Sequence, residues 1–284
     1  MLEVIQDTLI DVIKLVPFLF ITYLIMEFIE HKTSKKSKEA IKKSGKWGPF
    51  FGSLLGIFPQ CGFSVSATNL YAARVITLGT LIAVYLSTSD EMLPIFISEA
   101  VPISTILGIL GIKLFVGIIS GFIIDLVLRI KSKGKEEEEK IIDLCEKEHC
   151  HCEHGIVKSS LKHTLNITIF ILIITFLINI AVHFIGEETF ASWFMNQPIL
   201  GPIIAGIIGL IPNCAASVVI TQMYLENVIN VGTMMAGLLV GAGVGLAVLF
   251  KTNKGVKENL KIIGLLYAIG VGVGILLELI NFTI

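Results

Sequence analysis

Long apolar stretches alternate with short polar ones along the whole chain. A bilayer core of roughly 30 Å needs about 20 apolar residues in a helix. Runs of that length predict full membrane spans near Leu9–Ile29, Val75–Ile97, Val101–Leu128, Leu165–Val182, Val228–Phe250 and Leu260–Asn281. Met1–Ile13 has the pattern of an amphipathic lead-in to the first span, so we expect no removable signal peptide.

Two other apolar regions are divided into pieces that are too short to cross a bilayer comfortably. The pieces are Trp47–Phe58 with Gln60–Ala73, and Ile199–Ile211 with Asn213–Leu225. Each has about 12–14 residues, or about 18–21 Å of helix at 1.5 Å per residue. A Pro-Gln-Cys or Pro-Asn-Cys break joins the members of each pair. We therefore predict two re-entrant helical hairpins; two thin or tilted spans per pair are the alternative.

The second half of the chain repeats the first at a shift of about 153 positions. Gly56–Ser64 (GIFPQCGFS) aligns with Gly209–Ser217 (GLIPNCAAS). Matching apolar halves are typical of transporters whose binding site lies between repeats. We predict an all-α polytopic membrane protein of about ten membrane helices, with three full spans and one hairpin in each repeat. The repeats are residues 1–130 and 164–284, joined by a charged loop at 131–163.

Charge placement predicts how the chain is oriented. Hydrophobic residues make up 54% and charged residues 16% of the chain, against about 25% charged residues in soluble domains. His31–Lys46 carries seven lysines and is expected in the cytoplasm, whereas its counterpart Gly186–Pro198 has two glutamates and no Lys or Arg. The loops Ser98–Ser104 and Lys251–Lys257 show the opposite bias. We therefore predict inverted repeats in the cytoplasmic membrane, with both termini outside and the central loop in the cytoplasm.

Inverted repeats would bring the two hairpin tips face to face near the middle of the bilayer. Non-helical backbone at that depth is tolerated where it lines a polar cavity, and a helix N-terminus offers free N–H groups there. The predicted substrate-binding residues are Gln60, Cys61, Ser64 and Thr68 on one wall, and Asn213, Cys214, Ser217 and Thr221 on the other. For the Ser and Thr residues, close helix packing is the alternative explanation.

A polar cluster, Ser87–Glu91, interrupts the second predicted span. Its counterpart, Val240–Ala247, lies inside the uninterrupted apolar run Val228–Phe250, so we place Asp90 at membrane depth in a helix that Pro94 helps to break. A carboxylate there costs about 2.5–3.5 kcal/mol on insertion scales and usually marks a substrate, ion or proton route. Asp90 and Glu91 are therefore predicted site residues.

Other polar or small residues in the spans have simpler explanations. Asp125 and Glu278 lie close to span ends, where we expect them to snorkel towards the interface, and Lys113 is a further charge within a span. The glycine-rich stretch Gly241–Gly245 is explained by close packing of helices.

The central loop contains three cysteines and three histidines within ten residues. This density is sufficient to bind Zn²⁺, Cu⁺ or another soft ion, although a charged linker could also collect these residues by chance. The residues are Cys145, His149, Cys150, His151, Cys152 and His154.

The motifs GIFPQCGFS, STSDEMLPI and GLIPNCAAS resemble those of the ten-transmembrane heavy-metal exporters, whose members are labelled arsenic efflux proteins or manganese transporters. The resemblance covers most of the chain outside the central loop. It implies a secondary transporter built from two repeats that carries a heavy metal or metalloid.

Three functions follow from these residues. The first is export of a metal or metalloid ion, in which the thiols of Cys61 and Cys214 suit arsenite and the carboxylates of Asp90 and Glu91 suit Mn²⁺. The second is transport of a small organic anion held at the hairpin helix N-termini. The third, a membrane enzyme, is disfavoured because the spans contain no nucleophile–base or paired metal-ligand motif.

The expected partners follow from the first function. They are the lipid bilayer, the metal or metalloid ion and a coupling proton or cation, with no nucleic acid and no cofactor. No ATP-binding loop is present, so the energy must come from an ion gradient or a separate subunit. A homo-oligomer is left open.

Overall fold

The computed structural model describes residues 45–59, 61–132, 156–185 and 199–282, with scattered positions between 9 and 24. Within these residues it contains only helices and their connections. The α-helices are α1 (Gly48–Gly56), α2 (Cys61–Ala72), α3 (Leu78–Ser87), α4 (Met92–Ser98), α5 (Ile103–Ser132), α6 (Ile156–Ile185), α7 (Leu200–Gly209), α8 (Cys214–Leu225), α9 (Val231–Val240), α10 (Gly245–Thr252) and α11 (Val256–Leu279). Most of the predicted span Leu9–Ile29, most of His31–Lys46, Gly186–Pro198 and most of the central loop lie outside the described residues.

The helix boundaries recur along the chain at the shift of 153 positions seen in the sequence. Cys61 and Cys214 begin α2 and α8, and Ile103 and Val256 begin α5 and α11. The turns that follow α2 and α8 pass through left-handed backbone at equivalent residues, Arg74 and Asn227, each with φ 59°. In the described parts, residues 48–132 and 200–279, the two halves therefore fold into the same series of five helices.

Helix packing also recurs between the halves. In the first half α3 packs against α1 and α5, and in the second half α9 packs against α7 and α11. Several contacts between the described helices cross from one half to the other: α2 packs against α10, α8 against α4, and α3 against both α9 and α11. The two halves therefore pack directly against each other.

Four stretches of the described chain are long and apolar enough to cross a membrane. Leu78–Ser98 and Val231–Thr252 each consist of two short helices, and the apolar 18-residue segments within them are 72% and 83% buried. Ile103–Lys131 and Val256–Leu279 are continuous helices, and their apolar 18-residue segments are only 28% and 33% buried. The broken helices therefore form the interior of a multi-span membrane protein, while the continuous helices present apolar side chains outward to lipid.

The breaks in the interior helices differ from those expected. Helix α3 ends before Thr88–Glu91, so the break precedes Pro94, which lies in the first turn of α4, where its missing N–H is not needed. The run Val228–Phe250 is not continuous, because the chain leaves the helix between Gly241 and Val244. Its apolar composition conceals this second break.

The short apolar pieces form the short helices predicted for the hairpins. Helices α1, α2, α7 and α8 each have between 9 and 12 residues. Their re-entrance stays a prediction. Helix α6 begins at Ile156 rather than near Leu165. Its first two turns contain Lys158 and Lys162, so the apolar run from which the span was predicted does not mark them.

Asp125 and Glu278 bind the N-termini of two equivalent helices instead of snorkelling. The Asp125 carboxylate accepts hydrogen bonds from the Gly79 N–H (2.9 Å) and the Thr77 hydroxyl (2.8 Å), at the start of α3. Glu278 accepts from both the N–H (3.1 Å) and the hydroxyl (2.8 Å) of Thr233, at the start of α9. Each carboxylate satisfies a donor that a helix leaves unpaired at its N-terminus.

Candidate functional site at the two helix breaks

The two breaks share one backbone conformation. The third residue of each break has left-handed φ: 31° at Asp90 and 53° at Gly243. Glycine adopts this conformation without steric cost, whereas an aspartate there is strained. Strained backbone at a buried acidic residue is typical of functional sites, because the surrounding structure must hold it in place.

The hydroxyls of the first break bind nearby carbonyl groups. Thr88 Oγ1 donates to the Val84 carbonyl (2.8 Å), and Ser87 Oγ donates to the Ala83 carbonyl (2.8 Å), both at the C-terminal end of α3. Ser89 Oγ donates to the carbonyl of Ile57, 2.8 Å away just after α1. Ser89 thus ties the break to the end of α1, while Ser87 and Thr88 bind the end of α3.

Helix α2 meets the start of α10 in the other half. A Cβ atom at Gly245 would lie 3.0 Å from Cβ and Oγ of Ser64, so the missing side chain permits this close approach. Thr68 Oγ1 lies 2.5 Å from the hydroxyl of Tyr85 and 3.3 Å from the Gly245 carbonyl. Two predicted site residues, Ser64 and Thr68, therefore lie beside the second break.

A buried lysine connects the two broken helices. Lys113 on α5 is 0% exposed, and its Nζ donates to the Leu238 carbonyl at 2.6 Å. Leu238 lies in the last turn of α9, where the helix dipole favours a cation. The same ammonium interacts electrostatically with Asp90, which is itself only 4% exposed. One ammonium group thus hydrogen-bonds one broken helix and is attracted electrostatically by the carboxylate in the other.

The start of α8 packs beside α2 and the second break. Cys214 is 7% exposed and belongs to one apolar cluster with Val65 of α2 and Val244 of the second break. Thr221 Oγ1 donates to the Ser217 carbonyl of its own helix at 2.6 Å. In the first half Thr68 makes the equivalent bond to the Ser64 carbonyl at 2.7 Å.

The remaining predicted residues vary in how far the structure describes them. Asn213 is buried and Glu91 is half-buried. Gln60, the side chain of Cys61 and the loop residues Cys145, His149, Cys150, His151, Cys152 and His154 lie outside the described part. Among the described residues, no three His, Cys, Asp or Glu side chains are grouped to hold a metal ion. Any cation bound between the breaks would therefore rely on hydroxyl, carbonyl or amide oxygens besides Asp90.

Three residues at the breaks were not assigned a site role from the sequence: Tyr85, Lys113 and Gly245. The lysine had a detectable signal, because it is the only charged residue between Ile103 and Ile124 of α5. Tyr85 and Gly245 had none, since each acts through a contact with a helix distant in the sequence.

One end of the molecule carries an ion pair that joins the halves. Arg74, in the turn after α2, donates to both carboxylate oxygens of Glu258 at the start of α11, at 2.7 and 3.0 Å. The Tyr71 hydroxyl also donates to Glu258. The hydrogen bond to Glu258 raises the pKa of the Arg74 guanidinium, which stays charged. The repeat places Asn227 at the position equivalent to Arg74, and Thr105 at the position equivalent to Glu258, so this ion pair is not repeated.

Comparison with known proteins finds a family match. A family model described as "Putative, 10TM heavy-metal exporter" matches the chain over residues 1–151 and again over residues 126–247. Together the two regions cover most of the chain. No curated protein and no solved structure matches it.

Proposed function

Because the chain belongs to this family of ten-transmembrane heavy-metal exporters, we propose that it is a secondary active transporter that exports manganese or arsenite. The observation that carries the proposal is the pair of broken helices in the interior, with a strained, buried Asp90 in one break. Discontinuous helices near the bilayer midplane are the usual substrate and ion sites of secondary transporters.

We further propose that residues 1–130 and 164–284 are inverted repeats in the cytoplasmic membrane, each with one re-entrant hairpin. The recurring helix boundaries support two copies, and the crossed packing of α2 on α10 and of α8 on α4 supports a site between them. Rocking of one half against the other about the α3–α9 contact would expose this site to each side in turn. Coupling to a proton or another cation would supply the energy.

The proposed ligands are drawn from both hairpins and from the first break. They include the carboxylates of Asp90 and Glu91, and the hydroxyl, amide and thiol groups of Gln60, Cys61, Ser64, Thr68, Asn213, Cys214, Ser217 and Thr221. Oxygen ligands suit Mn²⁺, whereas arsenite would depend on the two thiols. A small organic anion, held by its carboxylate at the hairpin helix N-termini, is the alternative substrate.

The central loop is proposed as an accessory metal site. Cys145, His149, Cys150, His151, Cys152 and His154 would capture or sense the ion in the cytoplasm without forming part of the transport path. Deleting residues 145–154 should therefore change the apparent affinity or metal response but leave transport in place.

The main test uses the purified protein in liposomes. We expect the double variant Asp90→Asn/Glu91→Gln to lose uptake of radiolabelled Mn²⁺ or arsenite, because the site then lacks its carboxylates. Glu226→Gln, at an exposed position just after α8, is the matched control and should transport normally. A correctly inserted double variant with full activity would disprove the proposed site. If the unsubstituted protein takes up a carboxylic acid but neither Mn²⁺ nor arsenite, the organic-anion function is favoured.

The orientation can be tested on intact cells with an impermeant maleimide. Single cysteines are introduced at positions 35, 188 and 254 in a variant without native cysteines. Only position 188 should be labelled from outside, because positions 35 and 254 lie in the basic segments assigned to the cytoplasm. Labelling of position 35 would mean that the repeats are not inverted as proposed.

A further inference from the structure

Lys113 interacts with both broken helices: its ammonium donates to the Leu238 carbonyl of one and is attracted electrostatically by Asp90 of the other. We propose that the Lys113 ammonium occupies the transport site of the empty protein as a tethered cation, and that an entering divalent metal ion displaces it. This inference rests on the proposed function. Lys113 is then a positioning residue that sets the affinity of the site for cations. It also keeps the buried Asp90 neutralised when no substrate is present.

The contacts of the ammonium are those that a bound cation would use. Nζ donates to the Leu238 carbonyl oxygen, 2.6 Å away in the last turn of α9, and the carboxylate of Asp90 in the other broken helix attracts the same ammonium electrostatically. A fully buried lysine is rare unless it is paired, since desolvation of the charge is costly. The ammonium therefore marks a position where this protein stabilises positive charge between its two breaks.

The second half of the molecule shows that the fold does not need this charge pair. The residue equivalent to Lys113 is Leu266, which is also 0% exposed, and the residue equivalent to Asp90 is Gly243. Helices α5 and α11 pack in the same way against α3 and α9. Well-packed apolar residues often replace buried ion pairs without loss of stability. The pair at Lys113 and Asp90 therefore has a role beyond packing.

A lysine is suited to being displaced. Its ammonium is a point charge at the end of a flexible four-carbon stem, so it can leave one set of acceptors without moving the helix. A metal ion that binds Asp90 would repel the ammonium and take over its acceptors. Removing the ammonium should consequently strengthen metal binding, because the metal would no longer compete with an internal cation.

The experiment measures Mn²⁺ binding to the purified full-length protein by equilibrium dialysis. We expect Lys113→Met to bind Mn²⁺ at least about tenfold more tightly than the unsubstituted protein and to release it more slowly during transport. Lys113→Arg, which keeps the charge, should not bind more tightly. Leu266→Met is the matched control at the equivalent buried position and should bind Mn²⁺ unchanged. Unchanged or weaker binding by a folded Lys113→Met variant would overturn the proposal.

A second measurement needs no substitution and covers the case in which Lys113→Met fails to fold. The modification rate of Lys113 by a membrane-permeant amine reagent is followed by mass spectrometry with and without Mn²⁺. Displacement predicts a rate several-fold higher with Mn²⁺; an unchanged or lower rate contradicts it.

These outcomes are distinct from failure of the proposed function. If the protein transports arsenite through an Asp90-dependent site but does not bind Mn²⁺, the exporter function stands and the tethered-cation proposal is wrong. If Asp90→Asn/Glu91→Gln transports normally, the proposed site itself is wrong.

Discussion

The two helix breaks have the same place in the repeat and the same backbone turn, yet their chemistry is opposite. The first, Thr88–Glu91, carries hydroxyls and carboxylates, and its left-handed residue is Asp90. The second, Gly241–Val244, carries only small or apolar side chains, and its left-handed residue is Gly243. The repeat thus determines the backbone of both sites, while the charge is concentrated in one half.

Other features divide in the same way. Carboxylates bind the N-termini of both α3 and α9, and threonines on α2 and α8 bind the preceding helical turn. These devices fix the architecture and occur in both halves. The charged pairs Lys113–Asp90 and Arg74–Glu258 are not repeated. Their equivalents in the other half are uncharged: Leu266 and Gly243 for the first pair, and Asn227 and Thr105 for the second. Asymmetric charge within a duplicated fold is therefore where we expect substrate specificity and direction to be encoded.

The largest expected effect comes from giving the first break the chemistry of the second. Asp90→Gly should abolish transport, because it removes the carboxylate of the proposed site. It should also lower stability by about 3–5 kcal/mol, the usual cost of removing one partner of a buried charge pair. Gly243→Ala changes only the backbone of the second break. It should lower stability by about 1–2 kcal/mol through left-handed strain but retain transport. Liposome uptake and thermal unfolding distinguish the two, and an active Asp90→Gly protein would show that the charge is dispensable.

The sequence predicted the symmetric features better than the asymmetric ones. Proline breaks and short apolar runs mark the ends of α1, α2, α7 and α8 to within a few residues, because these signals are local. The second helix break was missed because Gly241–Val244 is as apolar as the helices around it. The role of Lys113 was missed because its acceptor, Leu238, lies 125 positions away. Periodicity carries no information about contacts of that kind.

The next effect concerns the close approach between the halves. Gly245→Val should push α10 away from Ser64 on α2, because even a Cβ atom at position 245 would lie 3.0 Å from that residue. Overpacking of this kind costs about 1–3 kcal/mol. Gly264→Val is the matched control, since a Cβ atom there would meet nothing within 4 Å. Thermal unfolding of both variants measures the difference; equal losses would mean that the α2–α10 contact is not tightly packed.

A smaller effect should appear equally in both halves. Asp125→Ala and Glu278→Ala each remove a carboxylate that binds the start of an interior helix. Each should cost about 1 kcal/mol of stability, the usual penalty for losing an N-terminal cap. Transport per folded molecule should stay unchanged in both. If one variant folds normally but no longer transports, that carboxylate belongs with the asymmetric charges and has a role in the transport path.

The smallest effect is expected at the ion pair between Arg74 and Glu258. Their side chains are 20% and 34% exposed, so solvent screens the pair. A double-mutant cycle with Arg74→Met and Glu258→Gln should give a coupling energy of about 0.5–1 kcal/mol, decreasing at high salt.

The same ion pair should also affect the transport rate. It ties the turn after α2 to the start of α11, whereas the equivalent positions in the repeat are occupied by the uncharged Asn227 and Thr105. Loosening it should therefore favour opening at this end and change the transport rate by a few-fold, whereas Asn227→Met should leave the rate unaltered. Equal rate changes in Arg74→Met and Asn227→Met would show that the two ends respond alike, and that this ion pair does not contribute to the asymmetry seen at the breaks.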